Sequence, residues 1–181
     1  DRSMPRSGIS LRSWARLLVL LGVLSSLTFS RAHAQSFNIS ARTDLSTAAG
    51  PNSMAWADFN GDGKLDVFSG DSWYAAPNWT RHKVRDVPLG TNPHYYEDFA
   101  DQPWDVNGDG NVDIVGCGWF SKSLWWDENP GKLAGEWKRH EIDSGFNIEF
   151  CFLVDLNNDG KKNEIIPQFG NTPAPLAWYE V

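Results

Sequence analysis

The chain has 181 residues, 41% of them hydrophobic, and carries 16 basic against 23 acidic side chains for a formal net charge of −7. An acid excess of this kind argues against nucleic acid and anionic membrane surfaces as partners. The two cysteines, Cys117 and Cys151, form no Cys-x-x-Cys pair, which removes zinc and dithiol redox motifs and leaves open either a disulfide or two separately buried thiols.

Residues 1–34 read as a secretory signal peptide. Arg6, Arg12 and Arg16 precede an apolar run of 13 residues from Leu17 to Phe29, and Ala32-His33-Ala34 has the small-x-small form of a cleavage site. Such a run is too short to cross a bilayer. The mature chain is therefore expected to begin near Gln35, with a secreted, periplasmic or extracellular location and no membrane association after cleavage. Five arginines and Asp1 leave with the signal, which deepens the net charge to −11. Residues 35–49 form an N-terminal lead-in.

From residue 50 onward one pattern recurs. Asp58-Phe-Asn60-Gly-Asp62-Gly-Lys64-Leu-Asp66 is followed by Asp105-Val-Asn107-Gly-Asp109-Gly-Asn111-Val-Asp113 and by Asp155-Leu-Asn157-Asn-Asp159-Gly160, starting 47 and 50 residues apart. Spacings of roughly 40 to 50 residues are those of propeller blades and other stacked arrays. The repeats divide approximately as 50–97, 98–146 and 147–181.

The chemistry of the loops points to a hard cation. Oxygen side chains at alternate positions of a tight turn converge on one point, and Ca²⁺ takes about 6 to 8 oxygen ligands. In the first loop Asp58, Asn60, Asp62 and Asp66 supply side-chain oxygens and Lys64 a backbone carbonyl; in the second, Asp105, Asn107, Asp109 and Asp113 do so, with the carbonyl from Asn111. The third offers Asp155, Asn157, Asp159 and the Lys161 carbonyl. Its position matching Asp66 is Asn163, with an acid one residue later at Glu164, so its last ligand stays open. About three Ca²⁺ sites are expected. The helix-loop-helix calcium hand is excluded, because it needs a bidentate Glu at loop position 12, where this chain has Ser69, Gly116 and Ile166. The runs after the loops, Val67-Phe68-Ser69-Gly70 and Ile114-Val115-Gly116-Cys117, are strand-like. One such loop alone leaves a solvated Asp-Asn-Gly turn as the lesser reading; three in register favour the metal more strongly.

On these residues the chain resembles the FG-GAP or VCBS type of repeat, the calcium-loop blades of integrin-like β-propellers in secreted bacterial proteins. The most specific stretch runs from Asp105 through Gly118-Trp119-Phe120 and Leu124-Trp-Trp126-Asp-Glu-Asn-Pro-Gly131 to Trp137-Lys-Arg-His140, and Trp79-Thr-Arg-His82 and Leu176-Ala-Trp178-Tyr-Glu180 echo parts of it. The resemblance implies an all-β fold of about three blades. Closed propellers have about 4 to 8, so an open fragment prone to self-association is expected. Blade one reaches its Trp and Pro markers early, which suggests a missing strand or hairpin.

No catalytic set stands out. His82 and His140 hold matching places and read as structural. His94, with Tyr95-Tyr96-Glu97-Asp98, is the one unrepeated polar and aromatic cluster, read either as a site or as a solvated loop. Most of the tryptophans fill inter-blade space, while Trp125 and Trp126, as strand neighbours, face opposite sides. The expectation is a calcium-binding module with a binding or scaffold role toward a protein or carbohydrate ligand. The alternative is the propeller part of a secreted carbohydrate-active enzyme, a sugar lyase or dehydratase, which the resemblance also admits.

Overall fold

Short runs of β-branched and aromatic residues set between Asp-Asn-Gly turns give a chain of antiparallel strands. The computed structural model describes residues 44–45, 53–131, 135–170 and 173–180. Residues 1–34, read above as a signal peptide, and most of the expected lead-in lie outside these residues. All the described residues belong to the unit Thr43–Val181.

Eleven strands and no helix occur among the described residues: β1 (Ala55–Ala57), β2 (Asp66–Ser69), β3 (Ser72–Ala75), β4 (Thr80–Lys83), β5 (Ala100–Trp104), β6 (Asp113–Gly118), β7 (Ser123–Glu128), β8 (Lys138–Ser144), β9 (Ile148–Val154), β10 (Glu164–Phe169) and β11 (Tyr179–Glu180). They form three antiparallel meanders in the orders β1-β2-β3-β4, β5-β6-β7-β8 and β11-β10-β9. These are blade-like sheets, the third with three strands among the described residues. The first strands of successive blades lie side by side, β1 against β5 and β5 against β9. Among the described residues the architecture is all-β, with no closed barrel, and matches an incomplete propeller.

Blade one differs from the sequence reading. It has all four strands, but of three or four residues each, where β6 and β7 have six. Shorter strands, with none lost, bring its Trp and Pro markers forward.

Two apolar clusters lie between blades. Phe59, Phe68, Trp73 and Val84 of the first repeat enclose Ile114 and Trp137 of the second. Trp137 sits 6.0 Å from the Phe59 ring and 5.7 Å from that of Phe68, and its backbone N–H donates to Val84 O at 2.9 Å. The second cluster joins Val115, Cys117 and Leu124 of blade two to Ile148, Cys151 and Ile165 of blade three. β6, sandwiched between neighbours, is buried at every residue. Each blade alone exposes two apolar faces, so stacking is what gives the fold its core.

Because Trp137 carries blade two into the core of blade one, Trp137→Ala is expected to cost about 3 to 5 kcal/mol, read by urea denaturation. A loss within about 0.5 kcal/mol, as for an ordinary surface position, would contradict the packing.

Candidate metal loops between the first and second strands

Each acidic loop joins the first and second strands of its blade: residues 58–65 between β1 and β2, 105–112 between β5 and β6, and 155–163 between β9 and β10. The first carboxylate accepts from two backbone N–H groups, those of Asp62 (3.0 Å) and Gly63 (2.7 Å) onto Asp58, of Asp109 (3.0 Å) and Gly110 (2.9 Å) onto Asp105, and of Asp159 and Gly160 (both 3.0 Å) onto Asp155. The Asp62, Asp109 and Asp159 N–H groups are shared with the amide oxygens of Asn60, Asn107 and Asn157 at 2.9 to 3.0 Å. The same acids, Asp62, Asp109 and Asp159, then accept from the N–H of Lys64, Asn111 and Lys161 at 2.8 to 2.9 Å. Side-chain oxygens of the first, third and fifth loop residues are thereby all turned in upon the loop backbone. Gly61 and Gly108 adopt φ 73, where an L side chain is strained. In the third loop Asn158 takes this place at φ 62, as Asn tolerates the left-handed region better than most residues.

The last acid has a separate task. Asp66, fully buried at the head of β2, accepts from Phe59 N–H at 3.1 Å and from Ala76 N–H at 2.8 Å. Asp113 at the head of β6 accepts from Val106 N–H at 2.9 Å and Asn129 N–H at 2.8 Å. Glu164, at the head of β10, accepts from Leu156 N–H at 2.9 Å. Its register partner Val154 corresponds to Ala57 and Trp104 opposite Asp66 and Asp113. The structure thus puts Glu164, not Asn163, at the place of Asp66, and the third loop is one residue longer. The longer Glu side chain spans the added length.

Electrostatics separates the two kinds of acid. The Lys64 ammonium hydrogen bond lowers Asp62, and the Asn111 backbone N–H lowers Asp109. Burial raises Asp66 and pushes Asp113 up to about 6, against the hydrogen bonds from Asn129 and Val106, with the charges of Asp109 and Asp105 adding to the rise.

The donor set of three carboxylates, one amide oxygen and a carbonyl per loop fits a hard cation in kind. Among the described residues, however, no three His, Cys, Asp or Glu side chains are gathered into a metal-holding group. The two observations meet at the last acid, whose oxygens already hold backbone N–H groups and keep their remaining lone pairs for another partner. Asn129 links two of these loops, its amide donating to Phe59 O and Val112 O, both at 3.0 Å.

The other sequence candidates resolve as scaffold. His82 stacks on Trp73 and His140 on Trp126, each with ring centroids 4.3 Å apart, so the matching histidines make matching contacts. Trp125 is buried under the Arg139 guanidinium at 4.2 Å, while Trp126 is half-buried on the opposite face. The run 94–98 does not stay together: His94 and Tyr95 are exposed, Glu97 turns in to accept from Phe120 and Ser121 N–H, and Asp98 enters the interior.

That interior holds a cluster the sequence did not suggest. Arg85, only 6% exposed, donates to Asp98 and Asp101 at 2.8 Å and to Asp127 at 2.7 Å. Arg139 also grips Asp127, at 2.8 and 2.9 Å, and Ser53 donates to Asp101 at 2.7 Å. Burial opposes the Arg85 charge, and the three carboxylates overcome that and raise it. Perturbed acids mark functional sites when a ligand reaches them; these are sealed between blades, where they join Gly70 O, β5 and β7. An open cavity of about 610 Å³ lies elsewhere, lined by Gln102, Trp104, Leu153, Lys161 and Lys162.

A family model described as FG-GAP-like repeat matches residues 18–69 and 105–163, more than half of the chain and all three acidic loops. No curated protein and no solved structure gives a significant match.

The cluster around Arg85 has two opposed pH trends. Asp127 is lowered by Arg139 and Arg85 despite its burial, so its stabilisation is present above the ordinary aspartate value and fades as pH falls toward its folded value. Asp98 is raised by burial and by Asp101, so its contribution is full below 3.8 and is lost as pH rises through its folded value. Asp98→Asn keeps an acceptor oxygen toward Arg85 and is expected to cost less than Asp127→Asn, which leaves two guanidinium groups short of a charge and costs about 3 to 5 kcal/mol. Denaturation of the two variants compares them; equal losses would overturn the opposed trends of the two acids.

Proposed function

The chain belongs to the FG-GAP-like repeat family, and on that premise we propose that it is an exported, calcium-stabilised blade module that presents a binding surface to a carbohydrate or protein ligand. What carries the reading is the threefold repetition of one loop geometry, with the same side-chain-to-backbone bonds from Asp58, Asp105 and Asp155 onward. A turn that needed only to reverse direction would not require three inward-facing oxygens and a buried acid each time. Repulsion among the acids in each loop is relieved by a divalent cation, and whatever binds only the folded form stabilises it by mass action.

FG-GAP repeats are typically extracellular, which agrees with the leader read over residues 1–34; among the described residues there is no helix long and apolar enough to cross a membrane. The cavity beside Trp104 has a volume within the roughly 300 to 1,000 Å³ usual for ligand sites. It offers an aromatic face and two ammonium groups on an otherwise acidic protein, and a ligand is best sought there. Exposed apolar side chains on β9, Phe150 and Phe152, supply a face for self-association of this segment.

In calorimetric titration the protein is expected to take up about three Ca²⁺ ions, and Asp109→Ala, which removes a ligand from a single loop, is expected to take up about one fewer. Melting should rise between excess chelator and millimolar Ca²⁺. An unchanged melting temperature with no heat of binding would refute the metal.

A further inference from the structure

Cys117 lies in β6, the second strand of blade two, and Cys151 in β9, the first strand of blade three. Both are free thiols, 0% and 1% exposed, inside the apolar cluster that joins these blades. The two lie on strands that pack against each other, and the nearby Cys151 thiol, then burial, raises the pKa of the Cys117 thiol. The surroundings offer neither thiol a catalytic or metal role: the neighbours are Ala100, Val115, Leu124, Ile148 and Ile165, and no metal-holding group includes either among the described residues. Two buried thiols in one apolar cluster, on strands packed together across a blade boundary, are placed as the partners of a disulfide are.

From this juxtaposition we propose that Cys117 and Cys151 are a disulfide-forming pair that covalently ties blade two to blade three. The oxidant is a small or protein disulfide. One cysteine thiolate attacks it and releases a thiol, and the second cysteine displaces the other half. Two S–H bonds and one external S–S bond are exchanged for the internal S–S bond and two external thiols. Because both native thiols are buried away from an external oxidant, the reaction belongs to folding in an oxidising compartment, before the cluster closes.

The bond would fasten the third blade, whose sheet has three strands among the described residues. Besides the apolar cluster, blade two holds it through the Tyr179 hydroxyl on Asp143 and the Asn147 amide on Trp119 O at 2.5 Å. Closing the loop from 117 to 151 removes unfolded-chain entropy, worth as much as about 500-fold in the folding equilibrium on the chain-entropy account.

The test refolds the full chain from denaturant in a glutathione redox buffer with Ca²⁺ present, then denatures it without reductant, alkylates and weighs it. The expected product carries no alkyl group or glutathione and is lighter than the reduced chain by two hydrogens. Its melting temperature should fall on adding dithiothreitol, while Cys117→Ser/Cys151→Ser melts near the reduced protein and ignores the reagent. Two alkylated cysteines, or a mixed disulfide with glutathione, in chains that have regained cooperative melting would overturn the proposal. So would a double variant that responds to dithiothreitol as wild type does. Neither readout depends on Ca²⁺ stoichiometry, so this pairing and the metal assignment stand or fall separately.

Discussion

A buried carboxylate at the head of the second strand of each blade is the constraint on which the rest of the structure depends. Asp66 and Asp113 each hold one backbone N–H from the residue that follows the first loop acid and one from the residue just after the third strand. Three consecutive strands and their loop are thus fastened at one point. An unpaired buried carboxylate is expensive. In Asp66 and Asp113 both oxygens are satisfied, so the acid fixes the loop instead of straining it; Glu164 holds its loop through Oε2, while its buried Oε1 has no hydrogen-bond partner. The loop's own acids then have defined directions, which is what a cation site requires.

The loops are also inter-blade joints. Phe59, the residue after Asp58, supplies a ring to the first core cluster and a carbonyl to Asn129 of blade two. Trp137 and Arg85 cross the same boundary by packing and by charge. Farther along, the equivalent residue Leu156 is exposed, and apolar packing between Cys117 and Cys151 takes over. Different physics therefore secures each boundary. Blades one and two share a polar and aromatic joint, blades two and three an apolar one with two sulfurs in it.

Much of the architecture was legible in the chain because Asp, Asn and Gly act locally. Their spacing gave the loops, and the residues after them gave β2, β6 and the all-β class. What failed was anything depending on contacts far apart in sequence or on one-residue shifts. Asp98 looked like part of an exposed patch with His94 until Arg85 drew it inward; Asp127, 42 residues from Arg85, gave no sign of pairing with it. Asn163 matched Asp66 by counting, and only strand register reveals that Glu164 does its work. Blade one was misjudged because strand lengths, not strand number, had changed.

The central claim is that the Asp113 carboxylate joins the second loop to the end of β7. Amide hydrogen exchange at Val106 and Asn129, in wild type and in Asp113→Asn, tests it most directly, since an Asn side chain presents only one acceptor oxygen where two N–H groups converge. The account predicts slow exchange at both amides in wild type and a selective acceleration of at least one in the variant, with Phe59 in blade one unchanged. Fast exchange at both positions in wild type, or no difference in the variant, would contradict it.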